Sequence, residues 1–141
     1  MHIKKSNQSG FTLIELLIVI IIIGILAAIA FVAFNGSTKK AHKADAQSTV
    51  ASVKTKLGEY STDNDGNYPA SKADVVTYLN DANGGNSKEL ATTFGDAGYE
   101  YTPSPAGCDN TTTVCSGFTV TGKAGTLGFG TSPADDVTAS N

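Results

Sequence analysis

The sequence has no arginine, two cysteines, two histidines and, between Leu16 and Ser37, no charged side chain at all. Nucleic-acid-binding domains usually present a basic, often arginine-bearing face. Here ten lysines against thirteen acids leave a formal charge of −3, so no direct nucleic-acid binding is expected. The shortage of sulfur and imidazole excludes a multi-ligand zinc site, because His2 and His42 stand far from one another and outside any metal-type spacing with Cys108 and Cys115. No histidine follows His42, so the C-terminal part holds no Ser-His or Cys-His arrangement for nucleophilic catalysis. Neither enzymatic activity nor a cofactor is expected.

What the chain does have is one long apolar run. Leu16 to Phe34 are consecutive residues without a charged or polar side chain, and as a helix they would extend about 28 Å, close to the hydrocarbon thickness of a bilayer. A secretory signal peptide is the competing reading, with Lys4 and Lys5 as the basic start and Ala28-Ile29-Ala30 as a cleavage site before Phe31. Against it stand the length of the run, the polar segment before Phe11 and the acid at its leading edge, Glu15. A carboxylate inside a spanning segment costs about 2.5–3.5 kcal/mol on insertion scales, so it calls for a partner. The helix does not stop at the run: from Thr38 through Ser61 there is no proline, and Ala46, Val50, Val53, Leu57 and Tyr60 recur at helical spacing. Phe11 to Ser61 therefore read as one helix, apolar in its first half and amphipathic in its second.

The stretch KKSNQSGFTLIELLIVIIIIGILAAIA, residues 4–30, resembles the N-terminus of type IV pilins and of the pseudopilins of type II secretion and DNA-uptake systems. The resemblance implies that a prepilin peptidase cuts between Gly10 and Phe11 and that Phe11 is then N-methylated. It also implies a helical homopolymer, other minor pilins, and a membrane assembly platform with a cytoplasmic ATPase. Physical logic points the same way. Cleavage would expose an α-amine on Phe11, and Glu15 lies one helical turn further on. With copies staggered by about a turn, the Glu15 carboxylate of one meets the Phe11 amine of the next. Removing one member of a buried pair costs about 3–5 kcal/mol, so the pair selects one axial register. Many family members carry a proline about eight residues past the helix glycine, where this chain has Val32 after Gly24; Gly24 is left as the candidate point of helix flexibility, or as a close-packing position.

The remainder reads as a small head. Cys108 and Cys115 would bridge in an oxidising exported space. Asp63, Asp65 and Asn67 alternate like calcium ligands, but the glycine is misplaced and no twelfth-position glutamate follows, so a plain turn is expected and no metal. Ser71-Lys72-Ala73-Asp74 opens a short helix that ends before Gly84-Gly85. Alternation at Tyr99 and Tyr101, at Phe118 and Val120, and at Leu127 and Phe129 predicts three antiparallel strands, packed on the stripe Val50, Val53, Leu57 and Tyr60. The tail TSPADDVTASN is expected to stay on the surface or loose.

The fold class expected is α+β, a pilin-like long N-terminal helix on a small antiparallel sheet. The segments are a leader at 1–10, a transmembrane or filament-core half at 11–37, an amphipathic half at 38–61 and a head at 62–141. The subunit would sit in the cytoplasmic membrane among lipid, N-terminus inside and head exported, until assembled into an extracellular pilus. A pseudopilin and a single-span protein that never polymerises are the alternatives.

Overall fold

The computed structural model describes residues 10–82 and 84–141; the leader proposed at 1–10 lies outside them except for Gly10. The chain divides into two units, Met1–Ser37 and Thr38–Asn141. The helix α1, Leu13–Asp63, supplies the described helical residues of the first unit and the opening helix of the second.

In the first unit α1 is built from apolar residues that no proline interrupts. Its start is fixed by Thr12, whose hydroxyl accepts a hydrogen bond from the Glu15 N–H at 3.3 Å while the Glu15 carboxylate accepts from the Thr12 N–H at 2.9 Å. This reciprocal arrangement is a capping box.

In the second unit α1 buries the stripe Ala46, Val50, Val53 and Leu57, while Tyr60 is half-buried and meets Tyr78 edge-on with ring centroids 5.0 Å apart. The helix ends two residues beyond the expected Ser61. Asn64 caps it by donating from Nδ2 to the Tyr60 carbonyl at 2.8 Å, and the chain reverses through Asp65 and Gly66, at φ 55° and 87°. Asp63, Asp65 and Asn67 thus belong to the helix end and its turn. Among the described residues no three His, Cys, Asp or Glu side chains group as metal ligands.

The short helix α2, Lys72–Asn80, begins at Ser71, whose side chain accepts from the Asp74 N–H, and it buries Val75 and Leu79 one turn apart. Gly85 closes the following turn, donating to the Tyr78 carbonyl at 2.9 Å; a Cβ there would come within 2.9 Å of the Leu79 Cα, so only glycine fits. The helix α3, Lys88–Gly95, then buries Ala91 and Phe94. Lys72 locks its far end, with Nζ donating to the carbonyls of Gly95, Asp96 and Tyr99 at 3.2, 2.8 and 2.7 Å above the Phe94 ring. Burial holds the Lys72 amine below its ordinary range.

The sheet is antiparallel in the order β1-β2-β3, with β1 at Tyr99–Ser104, β2 at Gly117–Gly122 and β3 at Val137–Ser140. Tyr99, Tyr101, Phe118 and Val120 face the core formed with Val50, Val53, Leu57, Val75, Leu79 and Phe94. The third strand is displaced from the position predicted. Leu127 lies in the helical turn α4, Ala124–Leu127, closed by Gly128 at φ 79°, so Leu127 and Phe129 flank a left-handed residue that a strand cannot contain. The tail, expected on the surface or loose, is at the surface but ordered, and it supplies the strand instead. Ser132 and Asp135 form a capping box around a 3₁₀ turn, and Val137 and Ala139 alternate inward opposite Gly122 and Val120. The architecture is α+β: a long apolar N-terminal helix followed by a three-stranded antiparallel sheet.

Candidate functional site

The exposed grease of this chain is concentrated in one place. Among the described residues every large exposed apolar side chain except Val114 lies between Phe11 and Phe34. Successive side chains of a helix are about 100° apart, so an unbroken run coats all sides and leaves no polar face for water. Such a surface has to be covered by lipid or by protein. By length and composition α1 is long and apolar enough to cross a bilayer.

At the head of that surface the polar groups are few and local. Phe11 is 83% exposed, and Glu15 is tied to Thr12, its Oε2 accepting from the backbone N–H at 2.9 Å and from Oγ1 at 2.7 Å. In the single chain, then, the carboxylate has a partner on its own helix. The sequence signal for it, Thr12-Leu13-Ile14-Glu15, has the Thr-x-x-Glu form of a capping box, which attention to the glutamate alone passes over. Both bonds from Thr12 use one carboxylate oxygen, which leaves Oε1 able to accept another donor. Gly24 continues α1 without a break, and a Cβ built on it would meet nothing within 4 Å.

Residues 5–31 match the family model of the prokaryotic N-terminal methylation motif. The chain carries the class III signal of type IV pilins and pseudopilins. No curated protein and no solved structure matches the chain. The methylation motif contains Gly10, Phe11, Thr12, Glu15 and Gly24 and stops at Phe31, so it spans most of the apolar surface and none of the head.

Outside the motif, the β1–β2 connection is the most heavily cross-braced loop. Cys108 and Cys115 are joined by a disulfide with Cα atoms 5.2 Å apart, and both are buried. Asp109 accepts at Oδ1 from the N–H groups of Thr111, Thr112 and Thr113 at 2.9, 2.8 and 3.1 Å, which holds its carboxyl far below the usual carboxylate range. Asn110, at φ 57°, donates from Nδ2 to the Tyr68 carbonyl and accepts at Oδ1 from the Cys115 N–H, both at 2.7 Å. The loop presents Val114 to solvent on a rigid frame.

Proposed function

We propose that this chain is a structural subunit, a type IV pilin, which is stored in the membrane after its leader is cut and then polymerises through α1 into an extracellular filament. The observation that carries the reading is an apolar helix surface with no polar side, headed by the methylation motif. That surface exchanges lipid for copies of itself at little net cost, because both environments are apolar, so the membrane serves as a store and an ATP-driven platform supplies the work. Cleavage falls between Gly10 and Phe11 and frees the Phe11 amine. In the filament that amine, from the adjoining copy, takes up the remaining acceptor capacity of Glu15, and Thr12 keeps the carboxylate in place. The disulfide-closed β1–β2 connection favours the pilus over a secretion or DNA-uptake pseudopilus, which the motif fits equally well.

The test combines two readouts. Mass spectrometry of the mature subunit should give N-methylated Phe11 as the first residue; Phe31 in that position would refute the reading in favour of a removed signal peptide. Glu15→Ala should leave subunit levels in the membrane unchanged while filaments sheared from the surface disappear, a loss matching the roughly 3–5 kcal/mol cost of unpairing a buried charge.

A further inference from the structure

The lysines of this chain are bunched just past the apolar run. Lys39, Lys40 and Lys43 fall within five residues, and all three are exposed. They repel one another, because Lys39 and Lys43 stand four residues apart and Lys40 and Lys43 three, the spacings at which helical side chains meet. No acid stands three or four residues from any of them. The nearest, Asp45, lies over about 100° from each around the helix. The ion pairs among the described residues are Lys56 with Glu59 and Lys123 with Glu100, and neither uses these lysines. A like-charged strip of this kind destabilises its own helix until a counter-charge from outside covers it.

We infer that Lys39, Lys40 and Lys43 seat anionic phospholipid headgroups on the exported surface of the membrane and so hold the stored subunit until it is extracted. The inference rests on the membrane-stored subunit proposed above. Chain length alone keeps the strip near that surface. Lys39 is five residues past Phe34, the end of the apolar run, so even a fully extended chain leaves no more than about 17 Å between them, and the rise of a helix makes it ~8 Å. Lys43, nine residues past Phe34, is ~14 Å away at the same rise. The headgroup layer with one Debye length beyond it is about 15 Å deep, which takes in both. Helical side chains also lean toward the N-terminus of their helix, here toward the run.

Charge selects the occupant. Beyond Lys43 the chain has twelve acids against five lysines, so a long polyanion such as duplex DNA would meet that acidic part as well as the strip, whereas a headgroup meets the strip alone. Lysines on the exported side run against the positive-inside rule, and with Lys4 and Lys5 removed in the leader none is left before the run. The strip therefore calls for a use on the exported side. Each lysine close to an anionic surface favours it by about five-fold, and three together make a lipid contact that a single lysine does not.

The experiment uses the mature subunit, purified from membranes of cells that express the full chain and reconstituted in phosphatidylcholine vesicles with a tracer of spin-labelled lipid. Electron paramagnetic resonance gives the share of tracer held at the protein. Spin-labelled phosphatidylglycerol should be held several-fold more strongly than spin-labelled phosphatidylcholine at low salt, and ~1 M salt, where the Debye length is about 3 Å, should remove the preference. Lys39→Gln/Lys40→Gln/Lys43→Gln should abolish it, and Lys39→Arg/Lys40→Arg/Lys43→Arg should keep it. An inserted subunit that holds the two lipids equally, a glutamine variant that keeps the preference or an arginine variant that loses it would overturn the inference alone. A chain absent from the membrane fraction would overturn the reading beneath it and this inference with it. Equal holding of the two lipids, together with capture of duplex DNA that the glutamine variant loses, would assign the strip to nucleic acid and overturn the inference.

Discussion

Tyr101 shows how one side chain fixes the head. It is only 9% exposed, and its hydroxyl donates to the Pro69 carbonyl at 2.7 Å, tying β1 to the segment before α2. Burial pushes the phenol well above its ordinary range. A raised folded pKa means that the stabilisation is complete below the free tyrosine value of about 10 and is lost as pH climbs past it toward the folded value. Tyr101→Phe should therefore cost about 1–3 kcal/mol at neutral pH, since the Pro69 carbonyl is left unpaired, and should flatten the alkaline fall in stability; chemical denaturation at pH 7 and pH 11 measures both. At this scale the sequence was readable where spacing alone decides. Val50, Val53 and Leu57 are core residues as their periodicity predicts. The Thr12 contact of Glu15 escaped because a motif residue draws the search toward distant partners, whereas the cap is local.

The elements that were legible are those whose ends carry chemical signals. The α2 start is written in Ser71 and Asp74, and its stop in the Gly84-Gly85 pair. The sequence reading missed α3, which begins at a Ser87 that makes no side-chain cap bond and is finished by Lys72, a residue of another helix. No local pattern encodes that lock. The third strand was misplaced because alternation at Leu127 and Phe129 looks like a strand until the left-handed Gly128 between them is seen. Among the loops, the one between β1 and β2 has a measurable worth. Closing eight residues by a disulfide stabilises by about 2.5 kcal/mol on the loop-entropy estimate, so a Cys108→Ser/Cys115→Ser variant should unfold at correspondingly lower denaturant. Leu57→Ala, which empties a fully buried position, should cost about 2–5 kcal/mol. Equilibrium denaturation of the head ranks the two.

At the scale of the molecule, the boundary between Ser37 and Thr38 separates a unit whose described side chains are exposed and mostly apolar from one with its own core. A fragment from Thr38 to Asn141, secreted into an oxidising compartment, is expected to be a soluble monomer with one cooperative melting transition; size-exclusion chromatography and thermal denaturation report on it, and aggregation would show that the first unit is needed for folding. The N-terminal half was the most legible part of the chain, because an apolar surface needs no tertiary partner to be recognised. The head was legible only in part, since its sheet closes through residues whose pairing is set at a distance. The clamp on Asn110 has a consequence for the life of the protein as well. Asn110-Thr111-Thr112 has the form of an acceptor for N-linked carbohydrate, yet the amide that a transferase would modify is held against the Tyr68 carbonyl in a left-handed turn. In an exported chain, sugar could be attached there only before the bridge closes and the amide is seated, so a slow oxidant would favour decoration and a fast one would leave the folded protein bare.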